Sequence, residues 1–223
     1  MGILSNNDIK NDHELMANFH FPTSKKALIV FTRNPELGKC KTRLAKSIGD
    51  ESALKVYKHL LQHTANVAKK VSADRFVFYS EHINNSDIWD EAFFRKKLQE
   101  GNNLGEKMHN AFSLLFASGY EKVCIIGSDL LDLDAEIIDE ALETLNHHDV
   151  VIGPAEDGGY YLLAMNEMQR PVFENKDWGT ETVRNATLEN LADKKVHLLK
   201  ALNDIDTFDD MKHYDELKKF YTN

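Results

Sequence analysis

The sequence predicts an α/β fold in which a mostly parallel central sheet is covered by helices on both faces, a three-layer α/β/α sandwich. Three observations carry that expectation. Short apolar runs rich in β-branched residues recur at residues 27–32, 76–79, 123–126 and 150–153, and continuous runs suit strands buried on both faces better than alternating ones do. Between them lie segments with apolar residues at three- and four-residue steps, so strands and helices alternate as in crossover units. The 223 residues, 42% apolar and 28% charged, suffice for one large core but not for two ordinary domains with separate sites. No internal repeat or Pro/Gly-rich linker marks a boundary.

In chain order, residues 1–25 are mostly polar with interspersed acids and read as a mobile or briefly helical N-terminal arm ahead of a single domain over 26–223. They lack the apolar centre of a signal peptide. Ala27-Leu28-Ile29-Val30-Phe31-Thr32 is the expected first strand and runs into a loop at Arg33-Asn34-Pro35. Asp50 is a candidate cap for a helix reaching about residue 70, where Leu54, Tyr57, Leu61, Thr64 and Ala68 share a face. Phe76-Val77-Phe78-Tyr79 is the next strand, while Trp89 and Phe93-Phe94 read as core or edge packing. Residues 104–117 carry a helical face of Met108, Ala111, Phe112 and Leu115. Val123-Cys124-Ile125-Ile126 then reads as a buried strand ending at Gly127-Ser128-Asp129, followed by a helix over 135–145 and a strand over 150–153. A strand over 160–165, a helix over 180–191, a short strand over 196–199 and a closing helix over 207–221 complete the expected order.

Composition excludes several function classes. The formal charge of −9 argues against a nucleic-acid partner, which needs a broad basic face. No apolar run approaches the roughly 18 residues of a membrane span. Cys40 and Cys124 are too few for a disulfide framework and lack zinc-site spacing, so a cytoplasmic location is expected.

Against that acidic background, residues 33–46 hold five cations and one acid, a local balance of +4. Open α/β sheets bind ligands at the carboxyl ends of their strands, where Lys and Arg can neutralise phosphate oxygens. This loop is therefore either a phosphate site or a solvated basic turn; it has neither Walker A nor Gly-x-Gly-x-x-Gly spacing. Asp129 directly follows a buried strand and Asp132 comes three residues later, a spacing that a turn can fold around one Mg²⁺ or Mn²⁺. Asp132 and Asp134 also suit helix capping. Asp157-Gly158-Gly159-Tyr160 is both a tight-turn signal and a place where glycines let a backbone approach a ligand, with Asp157 and Tyr160 supplying polar contacts. Trp178, ahead of Gly179-Thr180, is a further candidate contact. Asp206 and Thr207 precede the last helix and could cap it. His59 and His63 share a helical face without a third metal ligand, and Cys40 sits among cations that could lower its thiol pKa.

These residues, taken together, resemble one family. Pro35-x-x-Gly38-x-x-Lys41-Thr42-Arg43-Leu44, Leu104-Gly105-Glu106-x-Met108, Ile126-Gly127-Ser128-Asp129-x-x-Asp132-Leu133, Gly153-Pro154-Ala155-Glu156-Asp157-Gly158-Gly159-Tyr160-Tyr161, Trp178-x-Thr180 and Asp204-Ile205-Asp206-Thr207 are similar to the DUF2064, or selenodomain-associated transferase 1, proteins. These belong to the nucleotide-diphospho-sugar transferase superfamily of GT-A fold. The likeness spans about residues 26–215; Leu130-Leu131 stand where relatives commonly have Cys-Pro. It implies a nucleotide site formed by Pro35, Gly38, Lys41, Thr42 and Arg43, and a divalent metal at Asp129 and Asp206 with Asp132 nearby. It also implies a sugar or acceptor site at Asp157, Gly158, Gly159, Tyr160, Trp178 and Thr180, with Asp129, Asp157 and Lys41 as catalytic candidates. Fold alone does not choose the reaction. Open at this point are sugar transfer from a nucleotide diphosphate sugar to a small acceptor, nucleotidyl transfer from a nucleoside triphosphate to a phosphorylated small molecule with release of pyrophosphate, and nucleotide binding without turnover.

Overall fold

The structure, a computed structural model, describes residues 22–221; residues 1–21 of the arm expected over 1–25 lie outside them. Seven strands form one sheet in the order β3-β2-β1-β4-β6-β5-β7. They are β1 (Lys26–Thr32), β2 (Asp74–Tyr79), β3 (Phe94–Leu98), β4 (Lys122–Ile126), β5 (Val150–Pro154), β6 (Tyr160–Met165) and β7 (Val196–Leu198). The helices are α1 (Thr42–Ile48), α2 (Asp50–Ala68), α3 (Leu104–Ala117), α4 (Ala135–Thr144), α5 (Val183–Asn190) and α6 (Phe208–Met211). The sheet is mixed: β6 runs antiparallel to both its neighbours, and every other pairing is parallel.

The expected layers follow from how β1 divides its side chains. Leu28 and Val30 join Tyr57, Leu61 and Ala65 of α2 and Ile138 and Leu142 of α4 on one face. Ala27 and Ile29 join Met108, Phe112 and Leu115 of α3 on the other. Because β1 is central and loses both faces to helices, it needs apolar residues at successive positions rather than alternate ones. A smaller third cluster, including Leu44, Val56, Leu131, Ile205 and Met211, fastens α1 and α6 to the outer side of α2. Among the described residues no helix is long and apolar enough to cross a membrane.

Several expected elements change. The basic loop becomes helical at Thr42, giving α1. The Phe94 segment, expected only as packing, is an edge strand whose Phe-Arg-Lys-Lys-Leu sequence carries too few apolar residues to announce itself; lysines are a usual guard on exposed edges. Asp50 is the first residue of α2 rather than its cap, a place taken by Gly49 at φ 82°, while Asp50 and Glu51 face the positive end of the helix dipole. The helix expected from residue 180 begins at Val183, because Gly179 turns the chain at φ 83° and the Thr180 hydroxyl donates to the Asp177 carbonyl at 2.8 Å. The closing helix over 207–221 breaks into α6 and a 3₁₀ segment at Asp215–Phe220, since Tyr214 is extended (φ −112°, ψ 108°) and its hydroxyl donates to Asp132 at 2.7 Å.

One buried carboxylate locks the entry to the sheet. Asp74 accepts hydrogen bonds from the Thr23 backbone at 2.7 Å, the Thr23 hydroxyl and the Tyr120 hydroxyl at 2.7 Å, with Arg95 at 3.9 Å. Burial pushes its pKa up, but the bonds from Thr23 and Tyr120 outweigh burial and hold it below the usual carboxylate value. A group depressed in the folded state contributes stability above its unfolded pKa and loses it as pH falls through the folded one. Asp74→Ala is accordingly expected to cost about 2–4 kcal/mol at neutral pH. Urea titrations of both proteins should show that difference shrinking below about pH 4; a gap independent of pH would contradict an ionised Asp74.

Candidate functional site

Three loops meet beyond the carboxyl ends of β1 and β4. The first leaves β1 under tight restraint: the Tyr57 hydroxyl accepts from Arg33 N at 2.9 Å, and the buried Asn34 side chain binds the loop after β2, donating to His82 O at 2.8 Å and accepting from Glu81 N at 3.1 Å. The chain then turns at Gly38 (φ 74°) and reaches Lys41, which adopts the left-handed conformation (φ 49°, ψ 46°) uncommon for a side-chain-bearing residue and begins α1. That turn delivers the Lys41 ammonium, 6% exposed, to Asp129 Oδ2 at 2.9 Å and Asp206 Oδ1 at 3.8 Å. Arg43 reaches Asp206 Oδ2 at 3.1 Å. Burial works against the Lys41 charge, yet the carboxylates of Asp129, Asp206 and Asp204 outweigh it and raise its pKa.

The other two loops carry the carboxylates. Asp129 follows β4, and its carbonyl accepts from Ile205 N at 3.1 Å, tying that loop to the segment before α6. Thr207, not Asp206, caps α6: its hydroxyl accepts from Asp210 N while the Asp210 carboxylate accepts from Thr207 N at 2.7 Å. This capping box leaves Asp206 free to face Lys41 and Arg43.

Beside Asp129 lies a cavity of about 260 Å³ that brings together Asp129, Asp157, Gly159, Tyr160, Trp178 and Thr180 with an apolar wall including Phe31 and Met108. Asp204, which sequence reasoning passed over in favour of Asp206, also lines it. Its carboxyl pKa is pushed up to about 6 by burial and by Asp129 and Asp157, with Lys41 pulling the other way. The only sequence signal for Asp204 was its i, i+2 spacing from Asp206.

Other candidates sit differently from expectation. Asp132 does not join Asp129 and Asp206 but accepts from Tyr214, and Asp134 caps α4 by accepting from Ile137 N at 2.9 Å. Gly158 (φ 91°) makes its close approach to the chain itself: an added Cβ would lie 2.4 Å from the Glu181 carbonyl oxygen. The turn reading of Asp157 holds as well, since its Oδ1 accepts from Gly159 N at 2.8 Å. Tyr160 is oriented differently from a polar contact; its hydroxyl is buried beside that of Thr187. Pro35, Gly38 and Thr42 are exposed on the loop. The Cys40 thiol is buried, which raises its pKa rather than activating it. His59 pairs with Glu216 at 2.9 Å, and His63 bonds the Leu133 carbonyl at 3.0 Å. Among the described residues, the group of three metal-capable side chains with ligand atoms within 4.8 Å of one another is Glu36, Glu81 and His82. Lys39 already lies 2.7 Å from Glu36 and 3.7 Å from Glu81.

The family described as "Uncharacterized protein conserved in bacteria (DUF2064)" matches residues 63–180. A candidate nucleotide-diphospho-sugar transferase from Desulfovibrio desulfuricans G20 is 33% identical and superposes with a TM-score of 0.80, the match covering 88% of this chain and 89% of that one. The chain belongs to the DUF2064 family. The family match is narrower than residues 26–215: it spans the cavity residues from Leu104 to Thr180, whereas the Pro35–Arg43 loop and Asp206 lie outside it. More distant structures share the fold of this DUF2064 protein. A 4-diphosphocytidyl-2C-methyl-D-erythritol synthase from Anaerococcus prevotii DSM 20548 is 12% identical with a TM-score of 0.58, covering 87% of this chain and 96% of that one. A cytidylyltransferase from Leptospira borgpetersenii serovar Hardjo-bovis (strain JB197) is 13% identical with a TM-score of 0.55, covering 83% of each chain. No curated protein matches the chain significantly.

Trp178 owes its position to a glycine of the DUF2064 motif. In the first turn of α3, a Cβ on Gly105 would lie 2.2 Å from the Phe173 carbonyl oxygen and 2.8 Å from Trp178 Cζ2. Backbone oxygen cannot yield cheaply, so Gly105→Ala should destabilise by about 1–3 kcal/mol. It should also shift the fluorescence of half-buried Trp178, with fully buried Trp89 as the internal reference. An unchanged emission spectrum and denaturation midpoint would show that the α3 turn and the Trp178 segment move apart freely.

Proposed function

We propose that this protein is a metal-dependent transferase, working in the cytoplasm as a single domain, that moves a sugar from a nucleotide diphosphate sugar to a small acceptor. The observation that carries the reading is the Lys41 ammonium held between Asp129 and Asp206, with Arg43 beside it, at the edge of a small cavity. Lys41 and Arg43 supply charge-assisted donors for a diphosphate, with Pro35, Gly38 and Thr42 shaping the loop that would meet it. A cavity of about 260 Å³ suits a sugar or small acceptor rather than a whole nucleotide, which would lie along the loop.

The residues also fit a divalent cation. Asp129 and Asp206 each place an oxygen within 4 Å of one ammonium nitrogen, so a single positive centre already sits between them, and an all-oxygen donor pair suits Mg²⁺ or Mn²⁺. Such an ion, when bound, would neutralise charge growing on the departing diphosphate. In the transfer, an acceptor hydroxyl oxygen bonds to the anomeric carbon as the anomeric carbon–oxygen bond to the diphosphate breaks. The electron pair leaves with the nucleoside diphosphate, and the hydroxyl proton passes to Asp157, whose Oδ1 is fixed by Gly159 N.

Nucleotidyl transfer draws support from the basic loop, since pyrophosphate leaves with more charge than a nucleoside diphosphate. That support is smaller than the loop's net +4 suggests: Lys39 is engaged by Glu36 and Glu81, and of the five cations Lys41 and Arg43 are the two on the Asp129–Asp206 pair.

Lys41→Ala and Arg43→Ala are each expected to weaken nucleoside diphosphate binding about tenfold or more while leaving nucleoside binding little changed. Asp129→Asn and Asp206→Asn should weaken the Mn²⁺-dependent part of that binding. Calorimetry on folded variants measures both, and wild-type affinity in all four would leave this cluster a structural role only. Mass spectrometry of products from nucleotide sugars and a small-metabolite extract should find free nucleoside diphosphate; pyrophosphate with a nucleotide-capped metabolite would establish nucleotidyl transfer instead.

A further inference from the structure

The charges of the site are divided. Among the described residues, the cations that touch the Asp129–Asp206 pair, Lys41 and Arg43, come from the loop after β1 and the start of α1, whereas the cavity is lined by Asp157 and Asp204, by Asp129 with Lys41 against it, and by no Lys, Arg or His. The guanidinium of Arg184, which packs nearby, is turned to the Ala155 carbonyl at 3.1 Å. The rest of the wall is mostly apolar or aromatic, with Phe31, Met108 and Trp178 on it beside Thr180 and three glycines; the Thr180 hydroxyl donates to the Asp177 carbonyl and Gly159 N to Asp157, and the Tyr160 hydroxyl is buried beside Thr187. A phosphate placed here would meet the like charges of Asp157 and Asp204 and find no Lys, Arg or His among the described lining residues to replace its water. An alcohol keeps acceptors for its hydroxyl hydrogen and lays its carbon face on Trp178; an ammonium gains carboxylates and an aromatic face.

We propose that the acceptor is an uncharged or cationic hydroxyl compound with an apolar or aromatic face, bound between Trp178 and the Asp157–Asp204 carboxylates, and that phosphorylated acceptors are excluded. This deepens the transferase reading above and rests on it for the word acceptor; the binding preference itself does not depend on nucleotide.

The test uses the full chain with Mg²⁺ and a panel of aromatic alcohols, each matched with its amine and its phosphate ester. Affinities are measured by ligand-observed NMR, with Trp178→Ala to establish that binding is in this cavity. Alcohols and amines should bind, phosphate esters should bind about tenfold or more weakly, and Trp178→Ala should abolish the preference. Asp157→Asn, which keeps the oxygen that accepts from Gly159 N, should narrow the gap between phosphate and alcohol. Phosphate esters binding as tightly as their alcohols, or alcohols failing to bind at all, would overturn the proposal. In a separate arm, calorimetry with UDP, GDP, CDP and ADP tests the transferase reading. Discrimination among the alcohols without binding of any nucleotide would sink that reading while leaving the cavity's preference intact.

Discussion

An ammonium group can be buried in its charged form only where carboxylates replace its water, and that requirement organises the carboxyl edge of this sheet. Lys41 is nearly inaccessible and stays charged because Asp129 and Asp206 stand against it. Each of the three residues belongs to a different segment: the loop after β1, the loop after β4, and the approach to α6. The ion cluster therefore joins three loops that share no backbone continuity. It also accounts for the left-handed backbone at Lys41, a conformation that costs on the order of 1–3 kcal/mol and persists only where its surroundings over-determine it. Burying such a cluster contributes little net stability compared with an apolar replacement. What it supplies is geometry: two carboxylates set around one buried ammonium beside a cavity, with Arg43 on the exposed side of the pair.

The frame that holds this cluster was largely legible in the sequence, and the reasons differ by element. Strands β1, β4 and β5 lose both faces to helices, so their apolar runs stand out without homologous sequences. Helix α3 has an apolar face and an asparagine cap, with Asn103 accepting from Glu106 N, and the sequence periodicity matches its bounds. Strand β3 was missed because an edge strand needs few apolar residues. Helix α1 was missed because its cations serve the site rather than a helical face, and within its seven residues only Leu44 is fully buried, with Ala45 and Ile48 packed beside it. The composition of β6 does not give its direction, since a buried apolar strand reads the same either way; the tight-turn signal at Asp157-Gly158-Gly159 was the local pointer to an antiparallel return. Within the site, Asp129, Lys41, Asp157 and Trp178 announced themselves as unusual residues at strand ends or next to glycines. The fates of Asp132, Asp204 and Gly158 depend on Tyr214, the cavity wall and Glu181, partners distant in sequence, and no local pattern encodes them.

The antiparallel course of β6 is what gives the site its third wall. In a purely parallel sheet, every strand that enters near the site would begin at the opposite edge, and only strand ends could contribute loops there. Here β5 reaches the carboxyl edge at Pro154 and turns back through residues 155–159 into β6, where Tyr160 pairs with Pro154. Because Leu162 is in register with Ile126 of β4, and Gly127 N donates to the Tyr161 carbonyl at 3.3 Å, the hairpin turn projects past the end of β4, directly alongside Asp129. The 155–159 turn therefore overhangs the cavity and carries Asp157 into it. Gly158 then presses this turn against the backbone at Glu181, which holds the immediately preceding Trp178–Thr180 segment on the cavity, and Gly105 admits the Trp178 ring against α3. The parallel part of the sheet thus furnishes the cationic loop and Asp129, and the inserted hairpin adds Asp157 and Tyr160 to a wall completed by Trp178 and Asp204. The one strand that runs the other way is what places Asp157 on that wall, opposite in charge to the loop that carries Lys41.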